Sequence, residues 1–260
     1  MEPLFFGPAD KTLYGVYHGS ARPRPRSGGV VLFYPTGQEY MRIHRAYRWL
    51  ADRLADMGFH VLRFDYSGQG NSAGGFADAD LQAWQHEGHQ AIEELQAIGG
   101  CEHIALVGTR LGATIAAANC QHPLVDQLVL WEPRTPGSVL ADEIAKEIAS
   151  GEWPLVNFQE ADGTTHLNGF AYPAKFVEQI QESKVDAEQL AGLREVLCIT
   201  SVKDLDPAPF AEAAKQLGVA VEKRFAPGPT DWNRVNGIGG VFLPQRILHD
   251  ISDWLDGAQR

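Results

Sequence analysis

The stretch that most constrains this chain is a turn between an apolar strand and a helix of small residues. Ile104–Val107 is apolar enough for a buried strand, and the residues from Leu111 onward suit a tightly packed helix. Between them, Gly108-Thr109-Arg110-Leu111-Gly112 has the spacing of a nucleophile elbow, G-x-S-x-G. The glycines of that motif let a strained strand-to-helix turn approach its neighbours closely. Its tip, a serine in the motif, is here Arg110. A guanidinium stays protonated and does not attack a carbonyl.

The rest of the chain supplies a setting for such a turn. Leu4–Phe6, a turn at Gly7 and Pro8, and Leu13–Tyr17 read as a hairpin. Gly29–Tyr34 suits an inner parallel strand. A helix follows from Ile43 to Met57, with Tyr47, Leu50, Leu54 and Met57 on one face, and Gly58 ends it. Phe59–Asp65 reads as a strand, Asp78–Ile98 as a helix and Leu124–Trp131 as a strand. This alternation implies parallel strands joined by right-handed crossovers. The rhythm breaks over residues 134–192, where helical pieces (Val139–Ala149, Ala174–Ser183) are expected without a strong strand. It resumes with strands at Glu195–Ser201 and Val219–Phe225 and helices at Pro209–Leu217 and Pro244–Leu255. An insertion after the Leu124–Trp131 strand lies above the carboxyl ends of the strands, where it can cover a pocket. No internal repeat or low-complexity segment is present.

Composition narrows the partners. A 260-residue chain that is 44% hydrophobic can bury a sizeable core. Its net charge of −11 argues against nucleic acid or an anionic membrane as a general partner. The basic run Arg22–Arg26 reads as a solvated loop between strands rather than a docking motif. The first residues show no signal-peptide pattern, and no run reaches the length of a membrane span. Cys101, Cys120 and Cys198 are odd in number, lack metal-type spacing and sit in apolar surroundings. They read as core residues of a protein in a reducing cytoplasm.

Four segments taken together carry a family resemblance: Tyr34–Arg42, Leu62–Ser72, Gly108–Ala113 and Leu130–Pro133. In this order and at these element ends, they resemble the α/β-hydrolase superfamily over nearly the whole chain. Within it, the serine-aminopeptidase-like branch is the nearer likeness. The chain is similar in particular to hydrolase-like proteins associated with bacterial exosortase systems, among which an arginine in the elbow is not unusual. The resemblance implies an α/β fold with a mostly parallel central sheet and helices on both faces. Residues 1–133 and 193–260 would form the core, and 134–192 an inserted cap. It also implies a triad in the order nucleophile, acid, histidine. Arg110 holds the first place, and Asp204 or Asp206 is available for the second. The histidine belongs in the loop 226–243, which contains none. His249 lies beyond it, inside the final helix. With neither nucleophile nor base, no group activates a hydroxyl.

Substitutes are weak. The Thr109 side chain points off the turn toward packing, and Tyr34 and Tyr66 read as pocket lining rather than acids. His86 and His89, three apart on a helix, read as a solvated face, so no metal or other cofactor is expected. The backbone donors of an oxyanion hole do not depend on a serine. They fall at Leu111 and near Thr36 or Gly37, and the start of the following helix adds a positive dipole end. Arg110 beside them makes a site suited to a carboxylate or phosphate, with Gln38, Glu39 and Trp232 (or Asn233) as further candidate contacts. The competing reading is internal: Glu39, Asp65, Glu132, Asp204 or Asp206 pairs with Arg110 and fills the site. Trp153, Phe158, Phe170, Tyr172 and Phe176 either pack the cap onto the sheet or line an acyl or aryl pocket.

These readings leave three functions open. One is a binding protein for a small anionic or acyl ligand, or an accessory to a carrier protein or biosynthetic enzyme. Another is a non-serine hydrolase or acyltransferase in which Arg110 and the oxyanion donors polarise an ester or thioester. The third is a scaffold with a filled site.

Overall fold

The structure, a computed structural model, describes residues 1–22, 27–151, 155–202, 209–228, 230, 232 and 242–257. It opens with the expected hairpin, β1 (Glu2–Phe6) and β2 (Leu13–His18), closed by Gly7 at φ 81°. Then come β3 (Gly28–Phe33), α1 (Gly37–Asp56), β4 (His60–Phe64), a 3-10 turn at Phe76–Asp78 and α2 (Leu81–Gly99). β5 (His103–Thr109) leads into α3 (Leu111–Ala118), which is followed by β6 (Val125–Trp131). Between β6 and the next strand of the sheet lie α4 (Ser138–Ala149), β7 (Phe158–Gln159), β8 (Thr165–Leu167), β9 (Phe170–Tyr172), α5 (Ala174–Glu182) and α6 (Ala187–Leu190). The chain closes with β10 (Glu195–Thr200), α7 (Pro209–Gln216), β11 (Ala220–Phe225) and α8 (Gln245–Gly257).

Eight strands form one sheet in the order β1-β2-β4-β3-β5-β6-β10-β11. β2 runs antiparallel to both its neighbours, and every other pairing is parallel. Every residue of β3 is buried, as a strand covered on both faces requires. α1 packs with α8, and α2 with α3. The three cysteines are free and buried in this core. Among the described residues, no helix is long and apolar enough to cross a membrane.

Two local expectations need correction. α1 begins at Gly37 rather than Ile43, so Thr36 is its N-cap and Glu39 stands in its first turn. The buried stripe Ile43, Tyr47, Leu50 and Leu54 is the part legible from periodicity. The exposed Met41 and the positive-φ Gly37 hid the opening turn. The inserted segment also contains strands: β7, β8 and β9 form a small antiparallel sheet of their own. Its aromatic residues pack. Phe170, Tyr172 and Phe176 surround Phe76, and Phe176 also meets Trp84 at 4.8 Å. Phe158 is the exception, half exposed and stacked on His166. Trp153 lies outside the described residues.

A polar chain, buried at Arg63 and His18 and open to solvent at Asp52, ties α1 to the antiparallel edge of the sheet. Arg63 Nε donates to His18 Nε2 at 3.1 Å, and His18 Nδ1 lies 2.8 Å from Asp52 Oδ1. An arginine Nε–H can only donate, so the imidazole proton sits on Nδ1 and points at Asp52. Burial, followed by the charge of Arg63, lowers His18 to about 4. The folded chain therefore binds a proton less readily than the unfolded one. Stability from this group is complete above about pH 6.5 and is lost as pH falls toward about 4. His18→Gln, which cannot titrate, is expected to flatten the fall in melting temperature across that window. An unchanged slope would contradict this role.

A glycine inside α3 and one at the end of α8 test the packing. A Cβ on Gly112 would collide with the Phe33 and Tyr34 carbonyl oxygens, whereas one on Gly257 would meet nothing. Gly112→Ala is expected to cost more than about 2 kcal/mol in urea unfolding, and Gly257→Ala to stay within about 0.5 kcal/mol of the parent.

Candidate functional site

The tip of the turn is strained in the way an elbow requires. Arg110 has φ 56° and ψ −117°, a conformation rare for a residue with a side chain. Both flanking glycines are there for space. A Cβ on Gly108 would collide with Gly112 and Ala113, and one on Gly112 with the end of β3. The Arg110 amide donates to the Trp131 carbonyl at 3.0 Å, fixing the turn against the end of β6. The strand thus delivers the tip residue to the carboxyl end of the sheet, where Glu39 and the inserted segment meet it.

The Arg110 side chain is only 2% exposed and is held by two carboxylates. Its Nε and Nη2 donate to Glu39 Oε1 at 2.9 and 2.6 Å, and Nη2 also donates to Glu143 Oε2 at 2.5 Å. The other oxygen of Glu143 accepts from Arg134 Nε at 2.7 Å. Arg134 in turn lies 3.5 Å from Glu132 Oε2 through Nη1. Glu132 Oε1 accepts from both the amide and the hydroxyl of Ser201. Burial alone disfavours a charged guanidinium, but Glu39 and then Glu143 outweigh it and hold the Arg110 pKa above its ordinary value. The Trp232 ring lies 5.5 Å from the guanidinium carbon, adding a cation–π contact.

The positions expected from sequence therefore come together in part. Glu39 pairs with Arg110, and Trp232 packs on it. Leu111 opens α3 and Gly37 opens α1, so their first-turn N–H groups have no acceptor within the helix. Thr36 is buried beside them, and Gln38 is half-buried. Asp65 is elsewhere: it accepts from the Tyr40 hydroxyl at 2.8 Å and the Asn71 amide at 3.0 Å. Glu132 serves Ser201 and Arg134. Asp204, Asp206 and Asn233 lie outside the described residues.

The other candidate side chains are engaged within the fold. Thr109 is buried with its hydroxyl 2.6 Å from that of Tyr47. Burial pushes Tyr34 up to about 12, and its hydroxyl accepts from Arg63. Burial likewise raises Tyr66, which stacks on Trp84. His249 of α8 packs edge-on against Trp49 of α1.

Three contributors escaped sequence reasoning: Glu143, Arg134 and the placement of Tyr172. Glu143 had a faint signal, because it sits at i+3 from Leu140 and next to Ile144, the buried residues of α4. A carboxylate on an apolar helix face needs a cation. Tyr172 fills the space that a side chain on Gly37 would occupy. Burial and then Glu39 raise its pKa, while Thr36 and Arg110 pull the other way.

Exposure separates the two carboxylates on Arg110, at 5% for the Glu39 side chain and 32% for Glu143. Glu39→Gln leaves a buried cation short of its main partner and is expected to cost about 3–5 kcal/mol. Glu143→Gln admits water in compensation and is expected to cost about 1 kcal/mol. Urea unfolding of the two variants measures the difference, and equal costs would contradict this ranking.

Comparison with known proteins agrees with the architecture. The family described as serine aminopeptidase, S33, matches residues 28–149. No curated protein matches the sequence. A thermostable carboxyl esterase from Bacillus coagulans is similar with a TM-score of 0.68 at 15% identity, over 98% of each chain. Est1E from Butyrivibrio proteoclasticus gives 0.63 at 15% identity, over 99% of this chain and 97% of its own. Mouse alpha/beta hydrolase domain-containing protein 10 gives 0.54 at 14% identity, over 99% and 100%. The sheet order, the strained elbow and these neighbours together show that the chain has the α/β-hydrolase fold.

Proposed function

We propose that this chain does not perform serine hydrolysis and instead binds a small anionic or acyl ligand at the Arg110 site, or acts as an accessory in acyl-related biosynthesis. The observation that carries the reading is the buried guanidinium at the elbow tip, bonded to Glu39 and Glu143 where a serine hydrolase needs a free hydroxyl. The absence of a histidine from residues 226–243 supports it, because one substitution at the tip does not account for both changes. In this reading, residues 134–192 act as a cap over a core of 1–133 and 193–260, and the protein works in the cytoplasm. The acyl context draws on structural neighbours that include esterases, and on the likeness to exosortase-associated hydrolase-like proteins. A carrier protein fits that context as the partner presenting the acyl group.

A second reading, a scaffold with a permanently filled site, is favoured by the Arg110–Glu39 pair, in which both side chains are buried. An enzyme that polarises an ester through Arg110 and the oxyanion donors is disfavoured. The Tyr172 hydroxyl already stands against Gly37, where a carbonyl oxygen would need to approach.

A serine-directed fluorophosphonate probe is expected to leave the purified protein unlabelled, and stoichiometric labelling would overturn the proposal. A panel of short carboxylates and acyl thioesters should raise the melting temperature of the parent but not of Arg110→Met. No shift across the panel would favour the scaffold. Ester or thioester turnover that falls at least about tenfold in Arg110→Met would favour the enzyme.

A further inference from the structure

Glu143 is unlike the other members of the ion-pair cluster. Glu39, Arg110, Glu132 and Arg134 are all buried: Arg110 and Glu132 directly follow β5 and β6, Glu39 stands in the first turn of α1, and Arg134 opens the inserted segment. Glu143 comes from α4 of the inserted segment, and its side chain is 32% exposed. Each of its oxygens meets a different arginine, Oε2 with Arg110 Nη2 and Oε1 with Arg134 Nε. Two guanidiniums on one carboxylate is the arrangement by which proteins grip a carboxylate ligand. Here the cluster supplies its own.

We infer that Arg110 and Arg134 form a carboxylate-binding clamp, that Glu143 occupies it as a tethered stand-in, and that a monocarboxylate ligand binds by displacing Glu143. The inference rests on the anionic-ligand reading above and names its ligand class, its second arginine and its internal competitor. Charge selects the class. Without Glu143, Arg110 and Arg134 are balanced by Glu39 and Glu132, so one added negative charge restores the present state of the cluster. A phosphate dianion would place a further charge beside Glu39 and Glu132 and is disfavoured.

Burial gives the clamp its shape. Among the described residues Arg110 and Arg134 are almost inaccessible, and the half-buried Glu143 is where a ligand can reach them. The Trp232 face lies against the Arg110 guanidinium, 5.5 Å from its central carbon. Glu39 Oε2 is buried with no hydrogen-bond partner among the described residues. It offers an acceptor to a ligand that carries a donor next to its carboxylate, or to a water that enters with it. Leu140 and Ile144 anchor α4 in the core, and the Glu143 side chain, 32% exposed, can turn away by a change of rotamer while they stay packed.

A tethered competitor lowers the apparent affinity of the free ligand, and its removal raises it. The experiment is isothermal titration of acetate, propionate and inorganic phosphate into the parent, Glu143→Ala, Glu143→Gln and the double variant Glu143→Ala with Arg134→Met. Unfolding curves verify that each is folded. Glu143→Ala is expected to bind propionate at least about tenfold more tightly than the parent. Glu143→Gln, which keeps the shape without the charge, should show a smaller gain and provides the readout if the alanine variant fails to fold. Loss of Arg134 should abolish the gain, and phosphate should bind more weakly than either carboxylate.

Folded Glu143 variants that gain no carboxylate affinity would overturn the clamp, as would a gain indifferent to Arg134 or a preference for phosphate. The parent separates this result from the broader proposal. Carboxylate binding by Glu143→Ala with none by the parent upholds the clamp and removes the ligand-binding function. Anion binding by the parent without any gain in the variants does the reverse.

Discussion

A guanidinium sealed inside a protein must be matched by carboxylates, and the surroundings of Arg110 follow from that requirement. The close approach of Gly108 and Gly112 sets the turn against β3 and α3, and the Arg110 side chain is left 2% exposed between Glu39 and Glu143. Glu39 in the first turn of α1 supplies the principal partner from a position where the helix dipole also favours a negative charge. Such a pair contributes little net stability, since desolvation offsets attraction, yet removing either member leaves the other charge exposed to an apolar interior. The pair therefore constrains more than it stabilises. It fixes where α1 starts relative to the elbow, and it orients the guanidinium toward the inserted segment.

From there, connections run to α4, to the end of β6 and to Ser201 after β10. Glu143 joins α4 to Arg110 and Arg134, and Glu132 joins the end of β6 to Ser201 after β10. Glu132 is held at φ 49°, a second strained residue in the same small region. In an esterase of this fold, the corresponding ground is kept open for a substrate and a moving proton. Here it holds two arginines and three glutamates in fixed contact. In the reading proposed above, such a site recognises charge, with Glu143 as the member of the cluster that exchanges.

Much of the architecture could be read along the chain because it depends on local patterns. The apolar run of β3, the Ile43–Leu54 stripe and the spacing of Gly108 and Gly112 each report burial or close approach directly. Arg110 and the missing histidine were visible for the same reason, as departures at positions with a fixed spacing. The start of α1 was not, since its first turn is opened by a positive-φ glycine and carries exposed Met41 instead of an apolar stripe. The pairing of Arg110 was foreseen only as a choice among five carboxylates. Its second partner, Glu143, lies 33 positions away in an insertion whose packing no local pattern encodes. Long-range ion pairs leave almost no trace in sequence beyond a charged residue on an apolar face.

The central claim is that the elbow is built around a buried Arg110–Glu39 pair. A double-mutant cycle with Arg110→Met and Glu39→Leu, read by urea unfolding, tests it most directly. If the pair is as described, each single variant strands a buried charge, and the double variant is more stable than Glu39→Leu alone. The coupling then amounts to about 2 kcal/mol or more. Additive effects, with no coupling beyond about 0.5 kcal/mol, would contradict the account.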